Sequence, residues 1–157
     1  MITIIQRVSQ AKVEVNQREI GKINQGIMAL VAIEKNDTKT QANRLLERIL
    51  NYRIFADAED KLNLSLRDIN GGLLIVPQFT LAADTEKGNR PSFASAADPE
   101  FSRYLFNYFK QQAVLSFPHC QFGEFGANMQ VSLINDGPIT FTLKCQNKLT
   151  SVDSLEN

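Results

Sequence analysis

Tryptophan is missing from this 157-residue chain, histidine occurs once and cysteine twice. His119, Cys120 and Cys145 cannot fill a four-ligand zinc site without carboxylate help, and their spacing matches no zinc motif, so no metal is expected. A single histidine also leaves a serine or cysteine hydrolase short of its base. His119 and Cys120 are adjacent, so their side chains diverge in extended backbone, and no third group is in place to orient them. The two thiols read as reduced, partly buried cysteines of a reducing compartment. Gly71-Gly72 and Gly88 lack both the glycine spacing and the following lysine of a phosphate-binding loop. Charge of one sign is lacking too. Seventeen basic side chains balance seventeen acidic ones, which excludes the overall footprint of a non-specific nucleic-acid binder and makes any such contact local. Long apolar runs are absent: Gly26 to Ile33 and Gly71 to Pro77 are too short to cross a bilayer. The first residues alternate like a strand, without the basic start or cleavage site of a signal peptide, which points to the cytoplasm.

What is present is an ordinary globular composition, with 43% hydrophobic and 22% charged residues, and a length that suits one domain. Ile2 to Val15 alternates apolar and polar residues. Gly21 and Gly26 then punctuate two further strand candidates, Glu19 to Ile23 and Ile27 to Ile33, and the three together suggest an antiparallel meander. Thr38-Lys39-Thr40-Gln41 offers a capping box ahead of Ala42, Leu45, Leu46, Ile49 and Leu50, one apolar stripe on a helix of about three turns. Asp57, Glu59 and Asp60 look like an acidic turn. Leu62 to Leu66 alternates strictly, Gly71-Gly72 turns the chain, and the unbroken run Leu73 to Val76 suits a central strand. Asp98, with Pro99 in the first turn, caps a second helix on which Phe101, Tyr104, Leu105, Tyr108 and Phe109 form an aromatic core face. Met129 to Ile134 and Ile139 to Cys145 read as a hairpin with Asn135-Asp136-Gly137-Pro138 at its exposed tip. The expected architecture is α+β: a curved antiparallel sheet or barrel-like roll with two main helices, over residues 1–145, and a polar tail from 146 to 157.

Two features carry chemistry. Gly137-Pro138 is an X-Pro bond whose first residue has no side chain, and a cis isomer there would aim two successive carbonyl oxygens the same way, as acceptors for an amino group. At the end of the central strand, Gln78-Phe79-Thr80 offers backbone N–H groups that would face an oxyanion, with the Thr80 hydroxyl to orient water or substrate.

Ile5-Gln6-Arg7-Val8, Asn51-Tyr52-Arg53-Ile54-Phe55, Gln78-Phe79-Thr80-Leu81, Asp84-Thr85 with Lys87 to Phe93, Phe125-Gly126-Ala127 with Met129, and Asn135 to Pro138 with Thr140 occur in the order and spacing of the D-aminoacyl-tRNA deacylase family. The chain resembles that family over about Met1 to Leu143. The resemblance implies hydrolysis of the ester between a D-amino acid and the terminal adenosine of tRNA, by a homodimer with active sites at the subunit boundary and no metal or cofactor. It implies that the substrate's own 2′-hydroxyl helps activate water, that Gln78, Phe79 and Thr80 form the catalytic segment, and that a cis Gly137-Pro138 enters the partner's pocket. There the turn would exclude an L side chain, while mischarged glycyl-tRNA would pass. Phe125 and Met129 match adenosine-packing positions, and Arg7 a position that supports the Gly-Pro turn. Lys87 and Arg90 lie where a loop would meet tRNA phosphate. Pro77 is a departure. It replaces the usual serine, removing a hydroxyl and an N–H, and leaves a catalytically weakened tRNA-binding homologue as the alternative.

Overall fold

The computed structural model describes residues 1–146; of the expected tail, all but Gln146 lies outside the described residues. Strand β1 (Ile2–Val15) is the spine. Its first half pairs with β3 (Gly26–Ala32) and its second half with β2 (Arg18–Ile23), both antiparallel. On its other edge it pairs along most of its length with β8 (Met129–Lys144). Beyond β3 lie β6 (Gly72–Pro77) and then β7 (Cys120–Phe122), both added in parallel. The barrel-like roll is therefore mixed: the expected antiparallel pairing holds among β1, β2, β3 and β8, and β6 and β7 join in parallel. The chain leaves β3, crosses through helix α1 (Lys39–Asn51), the short pair β4 (Phe55–Ala56) and β5 (Leu62–Leu64) and the turn of helix α2 (Leu66–Ile69), and returns in the direction it left. A helical crossover returns a strand parallel. The alternation from Leu62 to Leu66 thus continues as strand only to Leu64; Ser65 then caps α2, its hydroxyl accepting from the Asp68 N–H.

Closure of the roll depends on missing side chains. β2 curls over until Gly21 lies against β7, where a Cβ would sit 3.1 Å from the Phe122 carbonyl oxygen. Gly26 and Gly72 face each other in the parallel pair, so close that a Cβ on Gly26 would fall 1.9 Å from the Gly72 carbonyl oxygen.

Side chains of β3 and β6 alternate between two cores. Ile27, Ala29, Val31, Leu73 and Ile75 face the helices, while Met28, Leu74 and Val76 fill the roll with Val8, Ala11 and Val13. Burial on both faces explains why β6 reads as an unbroken apolar run. Helix α1 starts as expected, with the Thr38 and Gln41 side chains capping reciprocally, and it buries Ala42, Leu45, Leu46, Ile49 and Leu50. Helix α3 (Pro99–Ser116) begins at Asp98, whose carboxylate accepts from the Phe101 N–H at 2.9 Å. Its buried face is Ser102, Leu105, Phe106, Phe109 and Ala113. Tyr104, expected in the core, is 55% exposed. It and the half-buried Tyr108 lie under the Lys39 ammonium, at 5.8 and 4.9 Å, and the Tyr108 hydroxyl donates to Asn43. No helix among the described residues is long and apolar enough to cross a membrane.

The start of the chain is locked inside. The Met1 ammonium is buried and donates to Asp37, to Glu34 and to the Cys145 carbonyl oxygen. Burial pushes the Asp37 carboxyl above its ordinary value, and its bonds to the ammonium and the Glu34 N–H offset only part of that. A raised folded value means that the native state binds a proton more readily than the unfolded chain, so Asp37 contributes stability at acid pH that is lost as pH rises from 3.8 through the folded value. Asp37→Asn removes this contribution. Its unfolding free energy is expected to fall more steeply on acidification than that of the wild type, by at most about 1.4 kcal/mol per pH unit for one proton. Parallel pH profiles for the two proteins would contradict the assignment.

Candidate functional site

At the end of β6 the chain turns into a short 3-10 segment, Phe79–Ala82, and opens one wall of a cavity of about 440 Å³. Val76 to Phe79 form that wall. Ala97 and the first turn of α3 form a second, and Phe125, Gly126, Ala127, Met129 and Val131 a third. Three segments far apart in sequence thus meet in a mostly apolar pocket of a size typical for small-molecule sites. Gln78, Phe79, Phe125 and Met129 all line it. Thr80 lies just outside the lining, and its hydroxyl accepts a hydrogen bond from the Gln78 side-chain amide. The N–H groups of Phe79 and Thr80 open the 3-10 turn and have no partner among the described residues, which leaves them as donors for a ligand. The Phe79 ring is 60% exposed and rests on Phe93 at 5.3 Å. Val131, Pro99 and Ser102 also line the cavity, and no local motif marks them.

Pro77 closes β6. Having no N–H, it ends the pairing with the β7 side, whose last bond runs from the Gly123 N–H to the Ile75 carbonyl oxygen, while the Gln78 N–H carries the pairing with β3 on to the Val31 carbonyl oxygen at 2.8 Å. The ring is seated beside Gly123, where a Cβ would lie 3.2 Å from Pro77 Cδ. Gly123 leaves the room that the proline needs.

The Gly137-Pro138 peptide is cis, and its setting differs from the expected hairpin tip. Asn135 pairs with Val8 and Thr140 with Gln6, so β8 stays paired to β1 on both sides while residues 136–139 bulge out opposite Arg7 alone. A hairpin would pair 129–134 with 139–145; here both halves pair with β1, which is long enough to hold them in line. Polar groups close the base of the bulge. Asn135 donates to the Thr140 hydroxyl at 2.8 Å and accepts from the Ile139 N–H at 3.1 Å, and Gln6 donates to the same hydroxyl. Arg7 grips the bulge itself. Its Nε donates to the Asp136 carbonyl oxygen at 3.2 Å and pairs with the Asp136 carboxylate at 3.1 Å, while Nη1 is anchored on the Ile54 carbonyl oxygen at 3.0 Å. Gly137 has φ +128°, a conformation open to glycine. Neither Gly137 nor Pro138 lines the cavity of its own chain.

Lys87 and Arg90 lie in an exposed loop closed by the Asp84–Ser92 bridge. His119 packs edge-on against Phe117, and the Cys120 thiol donates to the Phe117 carbonyl oxygen, with its pKa pushed up to about 11 by burial. Neither residue lines the cavity.

A family model described as D-Tyr-tRNA(Tyr) deacylase matches residues 4–144. The chain is 54% identical over 143 residues to a D-aminoacyl-tRNA deacylase of Pseudoalteromonas atlantica, covering 91% of this chain and 99% of that protein. It is 55% identical over 149 residues to one of Cupriavidus pinatubonensis, covering 92% and 96%. Among solved structures it is similar to a c-Myc DNA unwinding element binding protein, with a TM-score of 0.89 and 36% identity over 93% of this chain and 99% of that one. A probable eukaryotic D-amino acid tRNA deacylase at 17% identity shares the fold, with a TM-score of 0.79 over 90% of this chain and 97% of that one.

Proposed function

The chain belongs to the D-Tyr-tRNA(Tyr) deacylase family and hydrolyses D-aminoacyl-tRNA, and we propose that it tells the two hands of the amino acid apart with the Gly137-Pro138 bulge of a partner subunit. The terminal adenosine enters the cavity beside Phe125 and Met129. This sets the ester against Gln78, Phe79 and Thr80. Water, activated with the help of the ribose 2′-hydroxyl, attacks the ester carbonyl. The tetrahedral oxyanion is met by the N–H groups of Phe79 and Thr80. Collapse breaks the acyl–oxygen bond, leaving the free amino acid and a ribose hydroxyl that takes the proton from water. This route needs no ionisable side chain as base and calls on no metal or cofactor.

The carbonyl oxygens of the partner's bulge accept the substrate's amino group and stand where an L side chain would project. A D side chain points away, and glycine passes because it has none. Rejection is steric, so one site serves many D-amino acids. The observation that carries the reading is the gripped bulge. Arg7 and the Asn135–Thr140 clamp hold it rigid, yet it stands clear of its own chain's cavity. Exposed Ile134 and Phe141 flank it on β8 and give a second copy an apolar surface to cover. Lys87 and Arg90 would meet phosphate from their loop, and the reaction belongs in the cytoplasm with the translation machinery.

Incubating the protein with D-Tyr-tRNA, L-Tyr-tRNA and glycyl-tRNA tests this. The D ester and the glycyl ester should disappear and the L ester should survive; equal loss of the D and L esters would contradict the steric filter. Sedimentation of the same sample should give a dimer, and an active monomer would rule out a bulge donated in trans.

A further inference from the structure

The last nucleoside of a tRNA brings a string of phosphates behind it, and those must leave the cavity along some surface. Helix α3 starts at the cavity, where Pro99 and Ser102 line it. The next residue, Arg103, is exposed, and its guanidinium lies 5.0 Å from the centroid of Phe125, the ring that lines the opposite wall. Seven residues on, the Lys110 ammonium lies 5.1 Å from the centroid of Phe122. Positions i and i+7 share one helix face, about 10.5 Å apart. The two cations therefore form a ridge that starts at the cavity mouth and runs along α3, each held on a ring of the β7 side. Stacking on an aromatic face restricts a long side chain while leaving its N–H donors unused. Among the described residues neither cation is hydrogen-bonded or ion-paired, although Glu100 precedes Arg103 by one turn and Glu124 adjoins Phe125. In a chain with no net charge, one unpaired cation on a ring of the cavity wall and a second farther along the same helix face make a local site for an anionic strand.

We propose that Arg103 and Lys110 form the track for the phosphates that precede the terminal adenosine, Arg103 meeting the one nearest the cavity and Lys110 one farther along. The inference rests on the deacylase reading and adds to it a binding surface outside the pocket. Both are positioning residues, since neither touches the ester.

The test compares D-Tyr-tRNA with D-tyrosyl-adenosine, which carries the same ester and no phosphate, in the wild type and in the double variant R103Q/K110Q. The variant is expected to show a KM for D-Tyr-tRNA raised about tenfold with kcat little changed, and a plot of log KM against log salt shallower by about 1.5. Its kcat/KM on D-tyrosyl-adenosine should stay within about twofold, and the charge-keeping R103K/K110R should recover most of the tRNA affinity. An unchanged KM for tRNA would overturn the track. Equal slowing on both substrates would overturn it as well, because Arg103 would then only support Phe125. If the wild type acts on neither substrate, the deacylase reading fails first and the track falls with it.

Discussion

Gly26→Ala is expected to leave little or no folded protein. The added methyl would fall 1.9 Å from the Gly72 carbonyl oxygen and 2.7 Å from its carbonyl carbon and nitrogen. All three are backbone atoms, so no rotamer change relieves the clash, and the parallel strands β3 and β6 would have to separate at the seam between the two cores. Overpacking that moves backbone costs about 1–3 kcal/mol and at times more, and parting the central pair adds lost burial to it; a total above about 4 kcal/mol takes most of a typical stability of about 5–15 kcal/mol. Soluble yield and the denaturation midpoint report the effect. Gly72→Ala should be milder, because its methyl meets side-chain atoms of Ile23, Cβ and Cγ2 at 2.7 and 2.8 Å, and no backbone atom closer than 3.7 Å. A Gly26→Ala protein within about 1 kcal/mol of wild type, or the reverse order of the two variants, would show that the seam is looser than these contacts imply.

The largest loss of activity is expected from Gly137→Ala. At φ +128° an L side chain is strained at any size, and this one would also sit 2.8 Å from Ile139 Cγ1 and 3.2 Å from Arg7 Nη2. The strain is of the order of 1–3 kcal/mol, which the bulge can relieve only by moving. A displacement of about 1 Å in a positioning group can cost 10²-fold in rate, so kcat/KM for D-Tyr-tRNA is expected to fall at least about 100-fold. Stability should fall by no more than that strain, since residue 137 is exposed and β8 is paired on either side of it. Wild-type turnover and an unchanged preference for the D ester in this variant would remove the bulge from the mechanism.

Much of this molecule is legible locally. Thr38 with Gln41, and Asp98 with Pro99, start α1 and α3 where the capping chemistry says they should. The unbroken run in β6 correctly signals a strand covered on both faces. What escapes local reading depends on partners distant in sequence. Asn135-Asp136-Gly137-Pro138 has the composition of a hairpin turn, and only the length of β1 on the other edge keeps the two halves in line. The direction of β6 follows from the crossover through α1, which its own residues do not encode. Tyr104 has helical spacing for the core yet faces out beneath Lys39. At the site, the motif residues Gln78, Phe79, Phe125 and Met129 do meet in one cavity. Arg103 and Lys110 read as solvated helix charges until the fold sets each on a ring, that of Phe125 and that of Phe122.

The bulge at 136–139 is bracketed by paired residues, Asn135 with Val8 and Thr140 with Gln6. A strand fastened at both flanks cannot slide, so a change in those four residues leaves the register of β8 where it was. On the proposed reading of the bulge, the part that meets the substrate is separable from its support: those four residues can be varied to test stereochemical preference while the barrel beneath keeps its fit.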